Sequence, residues 1–352
     1  MYPKELSFLL KTAIQNRKNV LISGSPGIGK TDIVKQVCEE LRAIPGFEKL
    51  ELIISHPVVS DPTDYKGLPF EVNGEARFLP FNDLKQIIDA EVPTVFFIDD
   101  FGQAEYSVQK ATMQLLWGGK LNGHKISPYV TFIGATNRKQ DKAGVTGMLE
   151  CVKSRFHTIV ELNPSIEDWI DWAKKNEMPV ELIAFVRLRE RESLSIFKFD
   201  PSMDVDKNSP CPRTIANVGQ WMNIGINPAN DSHFEIIKGA VGEGLALEIK
   251  GFLTKIKELP DIDELIKNAD KFMTPRGYKL PPNRPDLAIT ICGALVHRIN
   301  KKNCEAIMTI ASKLEEEYAF MLCKDAIEKF DDLKEEKSFM DWVINHKEFL
   351  DS

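Results

Sequence analysis

The chain has 352 residues, of which 43% are hydrophobic and 28% charged, and 45 basic against 52 acidic side chains leave a formal charge of −7. That length suffices for roughly two domains, and the composition excludes a collagen, a disordered tail and a small disulfide scaffold. The acidic balance argues against a broad surface that coats nucleic acid, while leaving room for a local basic strip.

No run approaches the roughly 18 apolar residues of a membrane span; the longest, residues 288–296, stops at His297 and Arg298. The apolar run at residues 6–10 is too short for the core of a secretory leader, and no small-residue cleavage site follows. A cytoplasmic protein without membrane insertion is therefore expected. The six cysteines (38, 151, 211, 292, 304, 323) form no CxxC pair and the six histidines are dispersed. Free buried thiols, and no structural zinc, are the expectation.

Val20-Leu21-Ile22 reads as a short buried strand, and Ile33, Val34, Val37 and Leu41 follow it at the spacing of one helix face. Leu52-Ile53-Ile54, Val95-Phe96-Phe97-Ile98, Val130-Thr131-Phe132-Ile133 and Thr158-Ile159-Val160 read as four more strands. Strands that are apolar throughout belong to a parallel sheet with helices on both faces. Residues 61–80 interrupt the pattern, and Asn73-Gly74 within them marks a hairpin over residues 70–78. Leu121-Asn122-Gly123-His124 marks a second. From about residue 163 the strand signals fade. Residues 165–176 open like a capped helix, with Ser165 as the cap and Asp168 three residues on. Residues 180–191, 213–222 and 234–253 are further helical stretches, residues 200–212 form a polar connector, and residues 274–285 a second Pro-rich break. Residues 286–349 read as two or three helices with a charged face, including a charge-rich helix over residues 313–337. The expected organisation is an α/β core over residues 1–163, a helical lid over 164–273 and a helical extension over 274–352.

Gly24-Ser25-Pro26-Gly27-Ile28-Gly29-Lys30-Thr31 matches GxxxxGK[ST] between the first strand and the first amphipathic helix. Such glycines let backbone N–H groups turn inward around phosphate oxygens, and the helix N-terminus adds partial positive charge. Lys30 then reaches the β- and γ-phosphates, and Thr31 holds Mg²⁺. Asp99-Asp100 closes the third strand, where Asp99 can hold Mg²⁺ and Asp100 can polarise an attacking water. Asn137, at the tip of the fourth strand, points to the same cleft, since ligands sit at the carboxyl ends of parallel strands. Arg155 is a candidate arginine finger for a neighbouring subunit.

Together these motifs resemble the AAA+ ATPases, and within them the MoxR-like (dynein-related) branch. The resemblance covers roughly residues 5–285 and rests on residues 24–31, Asp99-Asp100, Asn137, Ser154-Arg155-Phe156 and Pro212-Arg213-Thr214. The stretch from Asn137-Arg138 through Asp141 and Gly144 to Arg155-Phe156 is similar to the family's run from sensor I to the finger. Cys211-Pro212-Arg213 looks like its sensor II, which implies that Arg213 reaches the γ-phosphate. The hairpins fit the helix-2 insert and the pre-sensor hairpin. Residues 239–244 and Leu259-Pro260 also look like a MoxR-like subgroup.

The resemblance implies an AAA+ P-loop core with a parallel five-stranded sheet, ATP and Mg²⁺ as cofactors, and ATP hydrolysis. It implies a ring, a hexamer by expectation, that remodels or matures a protein client, often a von Willebrand factor A-type protein. Two other readings stand beside it. One is a nucleic-acid motor or loader, with Lys120, His124 and Lys125 facing a pore. The other is an ATP-gated scaffold that barely turns ATP over. The family usually carries Asp-Glu followed by Ile-Asn-Arg-Ala, where this chain has Asp99-Asp100 followed by Phe101-Gly102-Gln103-Ala104, and the shorter Asp100 implies slow turnover.

Overall fold

Five short apolar strands with no polar face can be satisfied only where both faces are covered. In a computed structural model, which describes residues 1–116, 119–141, 147–192, 196–197, 208–256 and 259–346, this is how they are used. The chain runs α1 (Pro3–Gln15), β1 (Val20–Ser23), α2 (Lys30–Arg42), β2 (Glu51–Ser55), β3 (Leu68–Val72), β4 (Glu75–Leu79), α3 (Asn82–Asp89) and β5 (Thr94–Ile98). It continues through α4 (Tyr106–Leu116), β6 (Lys120–Leu121), β7 (His124–Lys125), β8 (Val130–Thr136), α5 (Glu150–Lys153) and β9 (Thr158–Glu161). The main sheet has the order β2-β5-β8-β1-β9, with every neighbouring pair parallel. This is an α/β core, a five-stranded parallel sheet with helices packed on both faces.

Alternate residues of each strand feed opposite faces. Val95 and Phe97 join α1 and α2 in a core built from Leu6, Leu10, Val34, Val37 and Leu41. Phe96 and Ile98 join α3 and α4 in a second core with Leu84, Ile87, Val108 and Leu115. The apolar run at residues 6–10 is thus part of an amphipathic helix that starts at Pro3 and is buried against the sheet. Both predicted hairpins form, β3–β4 and β6–β7. Their turns place Asn73 and Gly74, and Asn122 and Gly123, at positive φ, as a two-residue type I′ turn requires. The two hairpins are tied together: Asn122 Nδ2 donates to the Lys66 carbonyl at 2.9 Å, and the His124 ring bonds the Phe78 carbonyl at 2.9 Å.

The chain folds into two compact units. The first holds Met1–Asp168 with Cys211–Arg213, and the second holds Trp169–Ile196 and the chain from Thr214 onward. Helices α6 (Ile166–Lys175), α7 (Val180–Arg191), α8 (Pro212–Asn223), α9 (Phe234–Val241), α10 (Glu243–Lys255) and α11 (Ile262–Lys267) are followed by α12 (Pro285–Arg298), α13 (Cys304–Ala311), α14 (Glu316–Lys329) and α15 (Lys337–Asn345). Ser165 caps α6 as expected, its hydroxyl accepting from the Asp168 N–H at 3.1 Å. In the second unit α12 buries ten residues and packs on α7 and α14.

Three readings need correction. The stretch 234–253 is two helices, because Gly242 adopts φ +81 and breaks the ladder between α9 and α10. Residues 313–337 are not one helix: α14 ends at Lys329, a 3₁₀ turn spans Asp331–Glu335, and α15 starts at Lys337. The part after residue 285 therefore holds four helices among the described residues, not two or three. The connector residues 200–207 and Gly144 lie outside the described residues. All six cysteines are free, but Cys151 is exposed and the other five buried. No helix among the described residues is long and apolar enough to cross a membrane.

Candidate nucleotide-binding site

β1 ends at Ser23, and the loop that follows has to turn sharply before α2 begins at Lys30. Gly27 and Gly29 supply the two left-handed backbone positions, at φ +72 and +94. A β-carbon at Gly27 would fall 2.5 Å from Cys211 Sγ, whereas at Gly29 it would meet nothing within 4 Å. Gly29 is the N-cap of α2, so the loop's open side coincides with the helix N-terminus. Ile28 anchors the loop in the sheet core and Ser25 is buried, while Gly24 N–H bonds the Thr136 carbonyl of β8 at 3.2 Å. Pro26 is half-buried at the loop's crest. Within the same unit, the Arg213 N–H donates to the Gly27 carbonyl at 3.0 Å.

The strand order places β8 between β1 and β5, so acids at the end of β5 stand about 10 Å across the sheet from β1. Thr31, one residue into α2, spans that gap: its Oγ1 donates to Asp99 Oδ2 at 2.7 Å. Lys30 is 7% exposed, and its Nζ donates to the Gly24 carbonyl at 2.9 Å, the Ser25 carbonyl at 3.0 Å and Asn137 Oδ1 at 2.7 Å. Burial pushes the Lys30 ammonium down to about 8, with Asp100 and Asp99 pulling the other way and Arg213 adding to the depression. Asp100 adopts a left-handed backbone, φ +53, and its Oδ1 lies 3.4 Å from Asn137 Nδ2. The structure thus gathers Lys30, Thr31, Asp99, Asp100, Asn137 and Arg213 around one loop.

Arg155 stands apart from them. It follows α5 and precedes β9, and its Nη1 donates to Ser154 Oγ at 3.0 Å. The next residue but one, His157, is bonded to Asn19 just before β1. Because β1 and β9 are parallel, this turn lies at the amino end of the sheet and the P-loop at the carboxyl end.

Two residues given no role by the sequence are part of the cluster. Arg138 donates to Ser25 Oγ, to both oxygens of buried Asp141 (2.9 and 3.0 Å) and to Glu161 at 2.9 Å, tying the β8 tip to the P-loop. Gln103 fits one amide orientation, in which its Nε2 donates to Asp100 Oδ1 at 2.9 Å and its Oε1 accepts from Asn137 Nδ2 at 2.8 Å. Their sequence signal is the place of Arg138 in the stretch that follows Asn137 and the place of Gln103 three residues after Asp100.

The donor set fits a nucleoside triphosphate with Mg²⁺. A hydroxyl and a carboxylate oxygen already converge at Thr31 and Asp99, the hard oxygen donors that Mg²⁺ takes. A buried lysine whose charge is disfavoured without an anion, and a helix N-terminus facing open space, suit phosphates.

Fold and loop together define a P-loop α/β core, with the phosphate-binding loop motif between β1 and α2. A family model described as Novel STAND NTPase 3 matches residues 8–115, a segment that carries the P-loop and Asp99-Asp100. No curated protein matches the chain in sequence. Among solved structures, the chain is similar to the Thermotoga maritima RuvB Holliday junction branch migration motor, at 16% identity and a TM-score of 0.38, covering 84% of this chain and 83% of that one. Two point mutants of the same protein align at 16% and 17% identity and a TM-score of 0.39, each covering 84% of its own chain and 84% and 85% of this one. So loose a likeness says nothing about activity or partner.

Proposed function

We propose that this chain is an ATP-binding, slowly hydrolysing AAA+ ring ATPase of the MoxR-like branch that remodels or matures a protein client. The observation that carries the reading is the convergence of buried Lys30, the Thr31–Asp99 pair, Asp100 and Asn137 at the carboxyl ends of a parallel sheet. In this reading residues 24–31 hold the phosphates and Thr31 and Asp99 hold Mg²⁺, which neutralises charge building on the γ-phosphate oxygens. Asp100 orients the attacking water, Asn137 senses the γ-phosphate and Arg213 contacts it from the start of α8. Arg155, remote from its own P-loop, serves the site of a neighbouring copy, so that a ring, a hexamer by expectation, builds each site between two subunits.

A protein client is favoured over nucleic acid by the β3–β4 hairpin, which exposes Leu68, Phe70, Phe78 and Leu79, with Phe70 53% exposed. Exposed apolar side chains on a chain of net charge −7 suit a protein surface better than a phosphate backbone. A von Willebrand factor A-type protein is the candidate partner. Lys30→Ala tests the reading: it should abolish binding of labelled ATP and all turnover, and unchanged affinity at moderate salt would refute it. Turnover stimulated by DNA, with binding that weakens steeply as salt rises, would instead support the motor reading.

A further inference from the structure

Hydrolysis at a site of this kind needs two groups in fixed orientation beside the γ-phosphate: a carboxylate that accepts from water, and a polar group that distinguishes a triphosphate from a diphosphate. In this chain both are short side chains on different strands. Asp100 sits one residue past Asp99 after β5, in a left-handed backbone at φ +53. Asn137 sits at the tip of β8. An asparagine amide can turn over, which would exchange its acceptor for its donors, so its orientation has to be imposed from outside.

We infer that Gln103 is a positioning residue that locks both groups, and this inference rests on the ATPase reading above. Asn137 Oδ1 accepts from Lys30 Nζ at 2.7 Å. With the Gln103 amide assigned the orientation that its neighbours satisfy, the Asn137 Nδ2 is shared between Gln103 Oε1 at 2.8 Å and Asp100 Oδ1 at 3.4 Å. Gln103 Nε2 donates in turn to Asp100 Oδ1 at 2.9 Å. Lys30, Asn137, Gln103 and Asp100 therefore form a chain of hydrogen bonds from the P-loop cation to the carboxylate. Gln103 is the only one of the four that belongs to none of the P-loop, the strand acids or the strand tip. It lies at the end of the 3₁₀ turn Phe101–Gln103, and its own N–H bonds the Asp100 carbonyl at 3.0 Å. Phe101 beneath it is fully buried against Phe156, with ring centroids 6.4 Å apart, so the turn carrying Gln103 is rooted in the core.

The amide does what neither a carboxylate nor an alkyl chain can do: it offers an acceptor to Asn137 and a donor to Asp100 at once. Loss of both should let the Asn137 amide turn and Asp100 swing. A displacement of about 1 Å at a reacting group can cost on the order of a hundredfold in rate. Loss of the donor alone should leave Asn137 held and release only the carboxylate.

The test compares Gln103→Leu and Gln103→Glu in the full chain by two readouts. One is hydrogen exchange of the Asn137 side-chain amide in protein labelled with ¹⁵N-asparagine. The other is kcat against the Kd for ATP. Gln103→Leu should speed Asn137 amide exchange at least about tenfold and lower kcat about tenfold to a hundredfold, while Kd moves less than about threefold. Gln103→Glu should keep exchange near the parent rate and still lose kcat, since a second carboxylate then faces Asp100. Unchanged exchange in Gln103→Leu overturns the bridge whatever kcat does. Faster exchange with unchanged kcat overturns its part in hydrolysis. A parent that does not turn ATP over at all would refute the ATPase reading and this positioning role with it, whereas an active parent matched by both variants would refute the role alone.

Discussion

Lys30 offers the sharpest quantitative handle, because the proposed nucleotide would need its charge and its surroundings disfavour it. Burial brings it from 10.5 to about 8 in the free protein. Bound phosphates would raise it again, so ATP binding above pH 8 must draw in a proton. With a bound-state value near or above 10.5, the apparent Kd should weaken roughly twentyfold between pH 7.5 and 9.5, close to 2 kcal/mol. Proton uptake at pH 9.5 should be about 0.9 per ATP. Calorimetry in two buffers of different ionisation enthalpy reads both quantities. Lys30→Arg keeps a charge that does not titrate in this range, so any variant that still binds should lose the proton uptake. The same shift has a sign for stability. The folded value lies below the unfolded one, so the unfolded chain holds the extra proton between pH 8 and 10.5, and the free protein gains stability as pH rises through that window. Below pH 8 the buried charge costs about 3 kcal/mol. An affinity flat from pH 7.5 to 9.5 with no proton uptake would refute this account of Lys30.

Three further outcomes are expected. Gly27→Ala should destabilise the loop by about 1–3 kcal/mol, since alanine is strained at φ +72 and its β-carbon meets Cys211 Sγ at 2.5 Å; calorimetric unfolding measures it, and adding Cys211→Ala should recover only the part due to the clash. Arg155→Ala should bind ATP like the parent but lose about 10³-fold or more in turnover, and mixing with Asp99→Ala subunits should restore some activity; failure of every mixing ratio would refute the in-trans geometry. Gln109, fully buried, donates to the carbonyls of Ala104 and Gly147 and accepts from the Leu149 N–H, so Gln109→Leu should lower stability by about 1–3 kcal/mol in chemical denaturation.

The parts legible in the sequence are those where a local pattern is also the physical cause. A strand such as Val95–Ile98 is apolar at every position because both faces are buried, and the burial follows. Asn73-Gly74 and Asn122-Gly123 specify their turns through positive φ. The P-loop glycines are readable for the same reason. Helix α1 also left a signal, since Leu6, Leu10, Ala13 and Ile14 share one face, but residues 6–10 taken alone are too short to show the helical spacing. The break at Gly242 hides because a glycine inside a helical pattern is often tolerated. The sequence marks Arg138 only as part of the stretch similar to the sensor I run and Gln103 only as a departure from the family pattern, and the contacts of both were beyond its reach. Their partners, Ser25 for one and Asn137 for the other, come from different strands, and only the order β5-β8-β1 brings them together.

On the proposed function, Asp100 completes a working, slow ATPase site. Steady-state kcat at saturating ATP, for the parent beside Asp100→Asn and Asp100→Glu, tests it most directly. Asn keeps the size and loses the acceptor charge, so turnover should fall about 10²-fold or more while ATP still binds. Glu restores the reach of the longer side chain and should match or exceed the parent. An Asp100→Asn protein that turns ATP over as fast as the parent would contradict the account.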